Sequence, residues 1–152
     1  MTAAGHGSLI VFERIVREAA GSIGCSLFTV TAFDAAAMHV QRLYSTNPSA
    51  YPVGGRKPKR DTEFGRRVLV AGEPLVCEGD DAIATIFEDH ETIRSLGLHA
   101  SINAPVVSGG HCIGVLNFLL TSSSVSKEQL NAASAFASDE SVVAALRDPG
   151  HR

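Results

Sequence analysis

The chain has 152 residues, 45% of them hydrophobic, and a formal net charge of −3, which suits one domain with one substantial core. Such a balance carries no global basic field, so neither nucleic acid nor an anionic membrane is an expected partner. No apolar stretch approaches the roughly eighteen residues that span a bilayer, and the start MTAAGHGSLIVFERI lacks a basic region before its short apolar run, so a cytoplasmic protein is expected.

From Ser8 to Ala20, apolar residues recur at spacings of three and four, which predicts an amphipathic helix with Ser8 as N-cap and Gly21 as its stop. Cys25 to Phe33 is rich in β-branched and aromatic residues and Met38 to Ser45 alternates, so the two read as a β-hairpin around Asp34 to Ala37. A Pro- and Gly-rich segment with four cations, Arg56, Lys57, Lys59 and Arg60, follows; it is expected to be an ordered connection. Thr62 to Ala71 reads as a helix ended by Gly72, and PLVCE as a short strand. Two short helical pieces, Ala82 to Phe87 and Thr92 to Leu96, precede Gly97, with Asp89 a candidate cap for the second. A second hairpin joins Ala100–Val107 to Cys112–Leu120 through Gly109 and Gly110, which supply positive φ. Ser126 to Leu146, Ala-rich with few breakers, reads as one helix. Hairpins separated by helices predict an α+β fold, a central antiparallel sheet with helices on both faces.

The segment LGLHASINAPVVSGGHCIGVLNFLL resembles the strand, glycine turn and "iGvLnl" strand of the GAF domain family, and the resemblance extends from about Ser8 to Leu146 of a single domain spanning 1–152. RLYSTNPSAYPVGGRKP with FEDHETIRSLG is similar to a bacterial subgroup of small, free-standing GAF proteins. The resemblance implies a ligand pocket beneath the connecting helices, with the first and last helices on the other face. It implies a sensory or regulatory signal-transduction module, a homodimer through its terminal helices, and a separate signalling protein as partner.

The pocket's contents follow from strand alternation. A regular first hairpin pairs Phe33 with Met38, Thr31 with Val40, Thr29 with Arg42 and Leu27 with Tyr44, so one face offers hydroxyls, a guanidinium and a phenol. A regular second hairpin puts Ser101, Asn103, Cys112, Gly114, Leu116 and Phe118 on one face, and Ile102, Ala104, Val106, Ile113, Val115 and Asn117 on the other. Candidate ligand contacts are therefore Thr29, Thr31, Arg42, Tyr44, Tyr51, Ser101 and Asn103, with a small molecule, anionic in one reading, as the ligand. Several residues have a plainer alternative: Arg42 pairing with Asp89 or Glu88, the tyrosines and Phe64 packing in the core, Asn103 bonding backbone near Pro105, and the four cations lying solvated rather than meeting an anion at a helix start.

Other chemistries find less support. Cyclic-nucleotide-binding GAF domains carry an Asn-Lys, Phe and Asp-Glu signature; here the region reads Asn117-Phe118 and then Ser126-Lys127-Glu128-Gln129. Free methionine-(R)-sulfoxide reductases are small GAF proteins with three cysteines, so Cys77 and Cys112 are an alternative catalytic pair; that chemistry needs a thiolate and a resolving thiol within reach. Cys25, Cys77 and Cys112 otherwise read as reduced buried thiols. No Cys-His pair suits a bilin or haem, and no histidine spacing suits a metal, so no cofactor is implied. A third alternative is a ligand-free interaction or dimerisation module.

Overall fold

The computed structural model describes residues 4–150. Six strands, β1 (Leu27–Asp34), β2 (His39–Ser45), β3 (Arg56–Pro58), β4 (Leu75–Glu78), β5 (Ala100–Ser108) and β6 (His111–Leu120), form one sheet in the order β3-β2-β1-β6-β5-β4. Every neighbouring pair is antiparallel. The predicted α+β sheet is therefore present, with β3 as a strand that the Gly- and Pro-rich sequence conceals.

Helices α1 (His6–Ser22), α4 (Lys127–Ser138) and α5 (Glu140–Arg147) cover one face. There Phe12, Ile15, Phe28, Val30, Ile102, Leu116 and Phe118 form a continuous buried core. On the other face lie α2 (Asp80–Ile86), α3 (His90–Ser95) and the π-helical turn Gly65–Val70, with a second core that includes Phe64, Val68, Leu75, Ile83, Ile93, Val115 and Leu119.

Several helix boundaries differ from the sequence reading: α2 and α3 each begin two residues earlier than expected, and the Thr62–Ala71 segment holds the π-helical turn Gly65–Val70. Gly5, not Ser8, is the N-cap of α1; Ser8 is buried inside the helix and donates to the Ala145 carbonyl at 3.4 Å, tying α1 to α5. Gly21 stays helical, and the chain leaves the helix at Gly24, whose φ of +72° suits a residue without a Cβ. The C-terminal segment is two helices. The backbone of Asp139 turns extended (φ −63°, ψ 129°), and its carboxylate caps the Ser141 N–H at 2.9 Å and accepts from Arg14 at 3.0 Å. Those Ser141 bonds and the Arg14 guanidinium hold the Asp139 carboxyl below its ordinary pKa. By contrast, the start of α4 is a capping box: Ser126 and Gln129 exchange side-chain bonds with each other's backbone N–H at 3.1 and 2.8 Å.

Two irregularities change which side chains share a face. Between Val30 and Thr31 the β1–β2 register shifts, so Thr31 pairs with Arg42, Phe33 with Val40 and Val30 with Tyr44. Between Val106 and Val107 the β5–β6 register shifts, so Asn103 pairs with Asn117 and Val107 with Cys112. One extra residue in a strand sends everything beyond it to the opposite face. Hence Leu116 and Phe118 turn to the helical core, whereas Val115 and Leu119 turn to the second core and Asn117 to its cavity, the reverse of the regular-hairpin expectation.

Candidate functional site

A cavity of about 80 Å³, continuous with open solvent, lies between the sheet and the segment from Thr46 to Lys59. The sheet provides its floor: Leu27, Thr29 and Thr31 from β1, Val40 and Arg42 from β2, Asn103 from β5, Asn117 and Leu119 from β6. Tyr51, Gly55, Lys57 and Lys59 form one wall, and Phe64, Phe87, Asp89 and Ile93 close it from the helical side. Small-molecule sites are commonly about 300 Å³ or larger. A very compact ligand fits this state, and a larger one requires the Thr46–Lys59 arm to move outward.

The arm is ordered by its own bonding. Arg42 N–H donates to the Gly55 carbonyl at 3.0 Å and the Gly54 N–H donates to the Arg42 carbonyl at 2.8 Å, which extends the β2 ladder before β3 begins. Gly55 also leaves room for the guanidinium, since a Cβ there would sit 3.3 Å from Arg42 Nη1. Arg42 Nη1 donates to the Pro52 carbonyl at 3.0 Å, and the guanidinium carbon lies 5.0 Å from the Tyr51 ring centroid. Burial lowers the pKa of Arg42, against the opposing pull of Tyr51 and Asp89, but the group remains a cation in any ordinary medium. Its Nε is buried and has no hydrogen-bond partner among the described residues.

Asp89 joins arm and helices. Tyr51 donates its hydroxyl to Asp89 Oδ2 at 2.6 Å, and Lys57 Nζ stands 3.8 Å from Asp89 Oδ1. Asp89 is the N-cap residue of α3 but makes no side-chain cap bond there; its carboxylate is turned to the arm instead. Arg42 consequently pairs with the Pro52 carbonyl and the Tyr51 face rather than directly with Asp89 or Glu88. Lys59 stands with its Nζ 5.0 Å from the Phe64 ring centroid. Burial, then the like charge of Lys57, lowers its pKa. Thr62 bonds the Lys59 carbonyl at 2.6 Å, and Gly65 approaches that carbonyl so closely that a Cβ would collide with it.

The Tyr51 phenol is held well above its ordinary pKa of 10, first by burial and then by the Asp89 bond. A raised folded-state value favours the folded protein while the hydroxyl is protonated, so this stability is complete below pH 10 and is lost as pH rises beyond it. Tyr51→Phe is expected to cost about 1–3 kcal/mol near neutrality. The gap between wild type and variant should narrow above about pH 10, in denaturation measured across that range; a constant gap would mean the phenol is not coupled to folding.

The amides of the floor form a relay. Asn117 Nδ2 lies 3.4 Å from the Thr29 carbonyl, 3.2 Å from Thr29 Oγ1 and 3.5 Å from Thr31 Oγ1. A backbone carbonyl only accepts, so it fixes the Asn117 amide with nitrogen toward β1 and oxygen toward β5. Asn103 Nδ2 donates to that oxygen at 2.8 Å. Asn103 Oδ1 is thereby left buried without a partner among the described residues. Its amide bonds another side chain, not the backbone near Pro105.

Of the candidate contacts, Thr29, Thr31, Arg42, Tyr51 and Asn103 line this one cavity. Tyr44 does not: the β1–β2 irregularity places it on the helical side, with ring centroids 5.7 Å from Phe12 and 6.0 Å from Phe28. Ser101 does not either; it is fully buried across the β4–β5 pair from Cys77. Among the cations, Lys57 and Lys59 line the cavity and Arg56 and Arg60 are exposed. The sequence reading missed Asn117, for which the available signal was a single amide inside the apolar run GVLNFLL.

The alternative thiol pair is separated. Cys77 pairs with Ser101, and Ser101 with Leu119, whereas Cys112 lies seven residues away on the same strand as Leu119. At ~3.3 Å per residue the two positions are roughly 20 Å apart, far beyond the ~7 Å Cα limit for a disulfide. Burial raises the pKa of both thiols. Among the described residues no cluster of three or more His, Cys, Asp or Glu could hold a metal, and no helix is long and apolar enough to cross a membrane.

An antiparallel six-stranded sheet, with terminal helices behind it and a cavity under the connecting segments before it, defines the class of α+β fold to which the chain belongs. Residues 10–141 match the GAF domain family, and the chain belongs to it. The GAF domain of a two-component sensor histidine kinase from Bacillus halodurans superposes with a TM-score of 0.73 at 10% identity, over 91% of this chain and 92% of that one. The second GAF domain of DevS from Mycobacterium smegmatis gives 0.63 at 20% identity, over 90% and 91%. A type II free methionine-R-sulfoxide reductase from Thermoplasma acidophilum gives 0.70 at 9% identity, over 96% and 95%. At these identities the likeness concerns the fold. No protein of curated function matches the sequence.

Proposed function

We propose that this chain is a noncatalytic sensory or regulatory module that binds a small molecule in the cavity floored by Thr29, Thr31, Arg42, Asn103 and Asn117. The observation that supports this best is that two buried polar atoms beside one cavity, Arg42 Nε and Asn103 Oδ1, lack partners among the described residues. An unpaired buried polar group costs about 1–3 kcal/mol, and a ligand that bonds to both offsets that cost. A reductase mechanism using Cys77 and Cys112 lacks the thiol proximity it requires. The terminal helices α1, α4 and α5 would carry the output, to a second copy of the chain or to a separate signalling protein.

Native mass spectrometry of freshly purified protein, followed by thermal-shift measurements with carboxylates, nucleotides and methionine sulfoxides, tests the reading. A retained molecule or a reproducible stabilisation, lost in Arg42→Ala, is the expected result. An empty protein with no response to any compound, and Arg42→Ala behaving as wild type, would leave a module that acts only by protein contact.

A further inference from the structure

We infer that the ligand is a compact organic acid carrying a hydroxyl or N–H donor at the end opposite its acid group, lying across the sheet from Arg42 to Asn103. This rests on the ligand-binding reading above and specifies the chemistry of the same site.

The cavity has two chemically opposite ends. At the β2 end, Arg42, Lys57 and Lys59 line the cavity with one carboxylate, Asp89, which is already occupied by the Tyr51 hydroxyl and the Lys57 ammonium, while Glu88 acts on Lys59 from outside the lining. That leaves a cationic excess in partly desolvated surroundings, where an anion gains more than it would in water. The unpartnered Arg42 Nε is a donor and only a donor. At the β5 end the demand is reversed. The Thr29 carbonyl fixes Asn117, Asn117 fixes Asn103, and the Asn103 oxygen that remains can only accept. An acid without a distal donor leaves that oxygen unpaired, and a neutral donor leaves the cationic excess unneutralised.

The sheet also sets the length. Arg42 on β2 and Asn103 on β5 are separated by β1 and β6, and the register offsets them by two residues along the strands. With strands ~4.8 Å apart and ~3.3 Å per residue, the two Cα atoms are roughly 15 Å apart. With both side chains reaching into the cavity, their polar atoms come within about 10 Å of each other. With the Thr46–Lys59 arm displaced outward, one ring substituted at opposite ends fills that span, and the intervening walls Leu27, Val40, Phe64 and Leu119 are apolar.

The test uses fragments that differ by one group: 4-hydroxybenzoate, benzoate, phenol and benzylamine, each titrated against the full chain by ligand-observed NMR. Binding of 4-hydroxybenzoate at least tenfold tighter than benzoate and phenol, with benzylamine absent, is expected. Arg42→Ala should weaken 4-hydroxybenzoate by roughly tenfold or more, as loss of a charged hydrogen bond does. Equal binding of benzoate and 4-hydroxybenzoate would overturn the distal donor, and preference for phenol or benzylamine would overturn the acid; either result leaves the binding reading intact. Silence from all four, together with a folded protein that retains no molecule in native mass spectrometry, would overturn both. The fragment comparison on wild type decides the donor requirement without an Asn103 variant.

Discussion

Phe118→Ala is expected to destabilise the fold by about 3–5 kcal/mol, a large share of the roughly 5–15 kcal/mol that holds a domain together. Phe118 is fully buried on β6, its ring centroid 5.0 Å from that of Phe28 and 6.2 Å from that of Phe136. It therefore joins the middle of the sheet to α4. Truncation leaves a void that neither strand nor helix can close, because β6 is held by ladders on both sides. Chemical denaturation should show a lower midpoint at an unchanged slope. A loss below about 1 kcal/mol would mean that the helical layer relaxes onto the sheet more freely than this packing implies.

The second large effect concerns the amide relay. Asn117→Leu removes the acceptor of Asn103 Nδ2 and the donor to Thr29. Asn103, 2% exposed, then has neither end of its amide satisfied within the protein, at about 1–3 kcal/mol for each buried unpaired group. The double variant Asn103→Leu/Asn117→Leu removes the orphaned amide together with its partner, so it should cost less than the sum of the single variants, with a coupling of about 1–2 kcal/mol. Additive losses would show that the two amides do not stabilise each other. In either case the double variant should lose any stabilisation by an acid with a distal donor.

These two sites show what the chain's residues disclose about the fold and what they withhold. Element positions are legible because their signals are local: Gly109-Gly110 turns the second hairpin with φ of +60° and +80°, and Ser126 with Gln129 writes the start of α4. The facing of side chains is not local. Neither Val30-Thr31 nor the facing Arg42–Tyr44 carries a glycine or proline to mark the first shift, whereas Pro105 and Gly114 flank the second, where Ile113 is the extra residue; each shift decides the face of every residue beyond it. Regular alternation thus puts Tyr44 in the cavity and Asn117 behind the sheet, whereas Tyr44 lies behind the sheet and Asn117 in the cavity. Arg42, Thr29 and Thr31 came out on the cavity side, although the expected partner of each was displaced along the strand. The break at Asp139 was hidden for a different reason: an aspartate that caps one helix looks, in a row of good helix formers, like another exposed polar position. The role of Asp89 as the junction of arm and α3 depends on Tyr51, 38 residues away, which no spacing rule reports.

Strand β6 presents Val115, Asn117 and Leu119 to one layer and Gly114, Leu116, Phe118 and Leu120 to the other. At Gly114 an added Cβ would come within 2.6 Å of the Thr31 carbonyl on β1 and within 2.9 Å of the Leu146 side chain on α5. The Leu146 methyls can give way, but the Thr31 carbonyl is backbone, so it is the spacing of β1 and β6 that requires glycine here. Position 114 is therefore a tolerance fit within the sheet itself: an alanine there would have to spread β1 from β6, the two strands on which both cores are hung.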